Sequence, residues 1–440
     1  MHTQRALLLL SVALAAWGCD GGTPAPADAG TDAQTSGPGT IVEVAVENGS
    51  FTTLVAAIER VGLTATLSGS GPFTVFAPTD AAFTALGVDL STLSDDELRE
   101  ILLYHVIQGA EVPSSAVTAG TADSAADLTL FLGTSGGGVQ VNGANVTTAD
   151  VDASNGVIHV IDAVLLPPDI PAAAQLAGLT SLLAAAESAG LTSVISGEGP
   201  FTIFAPTNAA FDALGTLPAG PALVQVLTYH AILGAAVASN EVPPQASAVA
   251  TNAYGDPLTL LFDTSGGGVR VNGVDVVIAD VRTTNGIVHV IDEVLLPPNA
   301  AQMAQIAGLT QLLAAVGRAS DIPGTPPTPV ADALAAQAPY TIFAPTNAAF
   351  EAIASTLAGL SNDEVRDVLL YHLLDTTAFP SPVLAAELPS SVTDVQMLSG
   401  QTASLDPTSS PPTIDGAGIV RTDIVVTNGV IHLIDDVMIP

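Results

Sequence analysis

The chain has no lysine, a single cysteine and few aromatic residues. Its basic residues number eight, all arginine, against 43 aspartates and glutamates. Without lysine there is no Schiff-base amine and no P-loop ammonium to hold a nucleotide's phosphates. So acidic a surface repels phosphate backbones, which argues against nucleic acid and anionic lipid as docking partners. The acid excess favours solubility and suits a saline or cation-rich habitat. Cys19 standing alone permits neither an intramolecular disulfide nor a cysteine-based metal cluster, so stability must come from packed cores. Long apolar runs are also scarce. The stretches 170–191 and 301–316 are interrupted by Gln or Glu, as half-buried helices are.

Repetition is abundant by contrast. The string F-A-P-T-[DN]-A-A-F occurs three times, at Phe76–Phe83, Phe204–Phe211 and Phe343–Phe350. Each copy is followed by Tyr-His and then by an N-G-[VI]-[VI]-H-[VL]-I-D string. The equivalent prolines Pro78, Pro206 and Pro345 lie 128 and 139 residues apart. That period is the length of a domain and far exceeds a solenoid unit. Three tandem globular domains follow, in agreement with 440 residues at roughly 150 per domain.

The first residues read as an export signal. Arg5 precedes an apolar run over 6–16, which Ala16-Trp17-Gly18-Cys19 closes. A run this short does not span a bilayer, which takes about twenty residues. The placement of the sole cysteine resembles a bacterial lipobox, in which Cys19 would become a lipid-modified N-terminus. Ala16 stands where that pattern prefers Leu, and the bulky Trp17 follows it. Secretion with cleavage nearby is the alternative. Residues 20–39, poor in large apolar side chains, suit a disordered tether. The expected layout is a signal at 1–19, that tether, and domains at 40–168, 169–298 and 299–440. Pro167-Pro168 and Pro297-Pro298 stiffen the junctions, predicting a semi-rigid rod displayed by a membrane-anchored lipoprotein at the cell surface or in the periplasm.

Within a unit, Phe73–Phe76 has strand composition and Thr79 is a helix N-cap, repeated at Thr207 and Thr346. Ser94 and Glu97 form a capping box ahead of a helix with Leu98, Ile101, Leu102 and His105 on one stripe. Strand-like runs at 128–132, 139–141 and 157–161 follow, separated by Gly- and Asn-rich turns. Helices first and strands later argue α+β.

Together these blocks resemble the fasciclin (FAS1) domain over about 39–440. The resemblance implies three tandem units, each a wedge of two β-sheets flanked by several α-helices. It also implies a non-enzymatic family acting mostly in adhesion and extracellular matrices. The third unit departs most, with an extra Pro-rich stretch over 317–339 and a different hairpin over 401–418. In some animal relatives Tyr-His contacts a receptor, which makes Tyr104-His105, Tyr229-His230 and Tyr371-His372 candidate adhesion residues.

The bland readings of the same residues compete. Each helical His shares the apolar stripe, and His159, His289 and His432 share strand faces with branched residues. These are buried, hydrogen-bonded core histidines, an adhesion surface or, least favoured, metal ligands. Gly133–Gly137 matches G-x-S-x-G but leads into another strand, so it reads as a hairpin turn and no nucleophile elbow. Asp150–Gly156 hints at a calcium loop, yet its glycine is one position late and the twelfth position lacks Glu. Only weak, charge-averaged divalent cation binding is expected, with no cofactor and no catalytic residue. Asn48 and Asn145 open formal glycosylation sequons without consequence in a bacterial lipoprotein. Three functions compete: contact with matrix, polysaccharide or another cell-surface protein; a carbohydrate- or small-ligand-binding module; and an enzyme, for which no motif remains.

Overall fold

A computed structural model describes residues 37–320 and 339–440. Cys19, the signal, the tether up to residue 36 and most of the Pro-rich stretch 317–339 lie outside the described residues.

The chain forms three α+β units. In the first, helices Ile41–Asn48, Thr52–Arg60 and Thr64–Leu67 precede strand Phe73–Pro78. Thr79 then caps helix Asp80–Leu86, its hydroxyl accepting from Ala82 N–H at 3.2 Å. The Ser94 capping box opens helix Asp95–Tyr104. Six further strands complete the unit: Val106–Gln108, Gly120–Asp123, Thr129–Ser135, Gly138–Val141, Ala144–Ala153 and Gly156–Ile161.

The two repeated strings are neighbours. Phe73–Pro78 runs parallel to Gly156–Ile161, with Phe76 opposite His159, and the same pairing recurs in the other units. Both strands are buried along their whole length. Alternation explains why: Phe73, Val75, Ile158 and Val160 face the helices, while Phe76 and Ile161 face a second core. That second core lies between the two halves of the sheet, which meet along Ala144–Ala153. Register shifts between Val146 and Val151 bend this strand, and Asp150 takes a positive φ of 56° there. The bend turns one strand order into the two walls of a wedge.

Close approach fixes one glycine. A Cβ on Gly156, at φ 153°, would lie 2.0 Å from the Phe73 carbonyl oxygen. The Gly133–Gly137 segment is a hairpin, Ser135 pairing with Gly138 across Gly136 and Gly137, both at positive φ. Among the described residues no helix is long and apolar enough to cross a membrane.

Candidate functional site

The Tyr-His pairs stand where the long helix ends. Tyr104 is its last residue and His105 its C-cap; His230 caps the second unit's helix Pro221–Tyr229 in the same way. In the third unit Tyr371 is the cap and His372 follows it. Read as stripe positions within the helix, these histidines instead close it.

A helix end leaves carbonyls without partners, and the ring supplies one. His105 Nδ1–H donates to the Ile101 carbonyl at 2.7 Å, while Nε2 accepts from Leu165 N–H at 2.9 Å. His230 bridges Val226 and Leu295, and His372 bridges Val368 and Met438, through the same atoms. Each ring thus ties the helix end to the segment leaving the last strand. This pattern needs a neutral ring. Burial pushes all three pKa values down to about 4, against the smaller opposing effect of the helix carbonyl.

The tyrosines point into the wedge. Tyr104 OH donates to the Thr129 carbonyl at 2.7 Å and accepts from Asn142 Nδ2 at 2.6 Å. Tyr229 repeats this with Thr259 and Asn272. Tyr371 reaches Thr402 at 3.0 Å and the Asp415 carboxylate at 3.1 Å. Burial raises the Tyr104 pKa to about 12 and also raises that of Tyr229. Burial and then Asp415 raise Tyr371 to about 12. The exposures of the three rings are 0%, 0% and 4%, and each paired histidine is 2% exposed. The candidate adhesion residues Tyr104, His105, Tyr229, His230, Tyr371 and His372 therefore offer no surface to a partner, which corrects that expectation. Their polar atoms are consumed by the fold.

The strand histidines carry the opposite tautomer. His159 Nε2–H donates to the Val112 carbonyl at 2.8 Å, and Nδ1 accepts from Asp150 N–H at 3.3 Å. His289 and His432 match it on Val237 with Asp280 and on Val383 with Asp423. The phenyl rings of Phe76, Phe204 and Phe343 lie against these imidazoles, centroids 5.6, 5.5 and 5.6 Å apart.

Two sets of polar residues in the repeats have roles that sequence reasoning missed. Asp150, the one acid kept in all three suspected calcium loops, sits at the bend and binds the preceding connection. Its carboxylate accepts from Ser114 N–H at 2.7 Å and from the Ser114 hydroxyl, which together hold its pKa down. Asn155 does more than turn the chain. It accepts from Ile41 N–H at 2.9 Å and donates to the Leu67 and Gly69 carbonyls, each at 2.8 Å. The thrice-recurring first Asp and the Asn of N-G were the available signals. Among the described residues, no group of three or more His, Cys, Asp or Glu is placed to hold a metal ion.

A threonine contact recurs at both junctions. The Thr129 hydroxyl accepts from Arg282 N–H at 2.9 Å, and the Thr259 hydroxyl accepts from Val425 N–H at 2.9 Å. Thr259 also donates to the Asp423 carbonyl at 3.1 Å. Two residues on, Phe131 packs on the second unit's core and Leu261 is buried in the third's. The Arg282 guanidinium pairs with Asp127 across the first junction. Thr402 is the third unit's counterpart of these threonines, with Ser404 in the apolar position, and Thr402 is exposed.

With this geometry in view, comparisons with known proteins are specific. A sequence model of the Fasciclin domain matches residues 49–167, 177–297 and 327–440. Protein sll1483 of Synechocystis sp. is 50% identical over 143 residues, covering 31% of this chain and 79% of that protein. Transforming growth factor-beta-induced protein ig-h3 of Sus scrofa is 28% identical over 415 residues, covering 89% of this chain. The chain spans only 56% of that relative's length. A solved FAS1 domain pair from the insect cell adhesion molecule Fasciclin I is 19% identical, with a TM-score of 0.38. It covers 57% of this chain and 98% of that one. The class is an α+β wedge repeated in tandem. The chain belongs to the fasciclin domain family.

Proposed function

We propose that this protein is an exported, non-enzymatic contact protein that joins a cell to matrix, polysaccharide or another cell surface through its three fasciclin units. The observation that carries this reading is the burial of the repeated strings. Their Tyr, His, Asp and Asn side chains bond to the protein itself, so contact falls to the loops that differ between units. Three weak sites on one chain gain avidity over a single site. The recurring junction contacts favour a semi-rigid array, with domain limits near 40–168, 169–298 and 299–440. Cys19, closing the apolar run, supports a lipid anchor, with residues 20–39 as tether.

Deletion of the gene in the producing organism tests the reading. Loss of aggregation, biofilm or surface attachment is expected, restored by the wild-type gene and not by Cys19→Ser. Unchanged attachment after deletion would overturn the contact role. Cys19→Ser protein that still partitions into detergent would overturn the anchor.

A further inference from the structure

The helix-side cores of the three units differ at two facing positions. The first unit has Ile58 and Val106, the third Val316 and Leu373, and the second only Ala186 and Ala231. Replacing a sec-butyl and an isopropyl group by methyls at one spot leaves a gap, because a close-packed core relaxes only in part. The second unit accordingly contains a cavity of about 80 Å³, where the first has one of about 20 Å³.

The gap reaches the surface. Leu63, Leu67 and Val106 are buried in the first unit, whereas their counterparts Leu191, Ile195 and Ala231 are half-buried. Val194 and Leu233 line the same cavity and are 51% and 53% exposed. They form an apolar mouth.

Nothing polar inside is free to bind. The Thr228 hydroxyl donates to the Val224 carbonyl at 2.7 Å, and both His230 ring nitrogens are engaged. The inserted group must therefore be hydrocarbon, since a polar group would lose its water without gaining a partner. Size narrows the choice: the volume is roughly half the ~150 Å³ of an engineered cavity that takes benzene. It suits the end of an alkyl chain and not a ring. The formal charge of −35 on the protein disfavours an anionic head group at the mouth.

We infer that the second fasciclin unit binds the alkyl chain of an uncharged or zwitterionic amphiphile, the chain end entering between Ala186 and Ala231 and the rest lying over Val194 and Leu233. This site is independent of the contact role, and either can fail without the other.

Calorimetric titration of the full chain with n-octyl glucoside, kept below its micelle threshold, tests the site. Saturable binding is expected, weakened at least about tenfold by Ala186→Ile with Ala231→Val, the first unit's own residues. Val194→Ser with Leu233→Ser alters exposed side chains only and should weaken binding about threefold or more, which keeps the test decisive where overpacking unfolds the first pair. Phosphatidylcholine vesicles separate the sources. Co-sedimentation lost in these variants assigns the chain to a membrane lipid, while octyl glucoside binding without vesicle binding assigns it to a free amphiphile. Absence of saturable binding, or undiminished binding in both variant pairs, would overturn the site.

Discussion

Six histidines recur at two structural positions, and every one joins segments distant in sequence. At the helix ends the proton sits on Nδ1; on the last strands it sits on Nε2, set in each case by a neighbouring carbonyl. The helix-end rings have a consequence in acid. The unfolded chain takes up protons at these rings near pH 6.5, the folded chain only near pH 4. Stability is complete above the unfolded value and falls as pH drops from about 6.5 to about 4. The loss is at most about 3 kcal/mol per ring. Carboxylates held by N–H groups, such as Asp150, add their loss only below the usual carboxylate range. Thermal scans from pH 8 to pH 4 should show Tm declining through the histidine window. A profile flat down to pH 4 would contradict this account of the rings.

At the scale of elements, Gly156–Ile161 and Phe73–Pro78 carry the architecture, because each is covered on both faces. Gly156→Ala places a methyl group against the Phe73 carbonyl, so the parallel pair must separate. A loss of more than about 4 kcal/mol is expected in urea unfolding of the first unit, whereas Gly133→Ala, in open space, changes little. Equal effects would mean that the strand pair yields easily. These elements were legible because apolar runs, caps and Asn-Gly turns all pointed the same way. Ala144–Ala153 was not. Its pattern A-N-V-T-T-A-D-V-D-A is mostly solvent-facing and lacks an apolar alternation, so the shared wall of the wedge left no clear trace. The Tyr-His site misled for a related reason. It rested on the family resemblance, while the apolar stripe through His105 argued for burial. The partners that consume the polar atoms, Asn142 and Leu165 among them, lie 38 and 60 residues away, out of reach of local patterning.

On the scale of the whole molecule, the units join head to tail, the Thr129 and Thr259 hydroxyls meeting a backbone N–H of the next unit. Tyr104 and Tyr229 hold the carbonyls of those same threonines, linking each helix end to its junction. The third unit breaks the series, because Ser404 stands in the place of Phe131 and Leu261 and gives no apolar plug to a further unit. The central claim is that the repeated strings build this array while the variable exterior makes its contacts. Attachment of beads carrying the chain to the producing cells tests it most directly, using Tyr104→Phe, Tyr229→Phe and Tyr371→Phe combined. Each change removes buried hydroxyl bonds worth about 1–2 kcal/mol. The account predicts a lower Tm with attachment retained in full. Attachment lost while Tm is unchanged would contradict it.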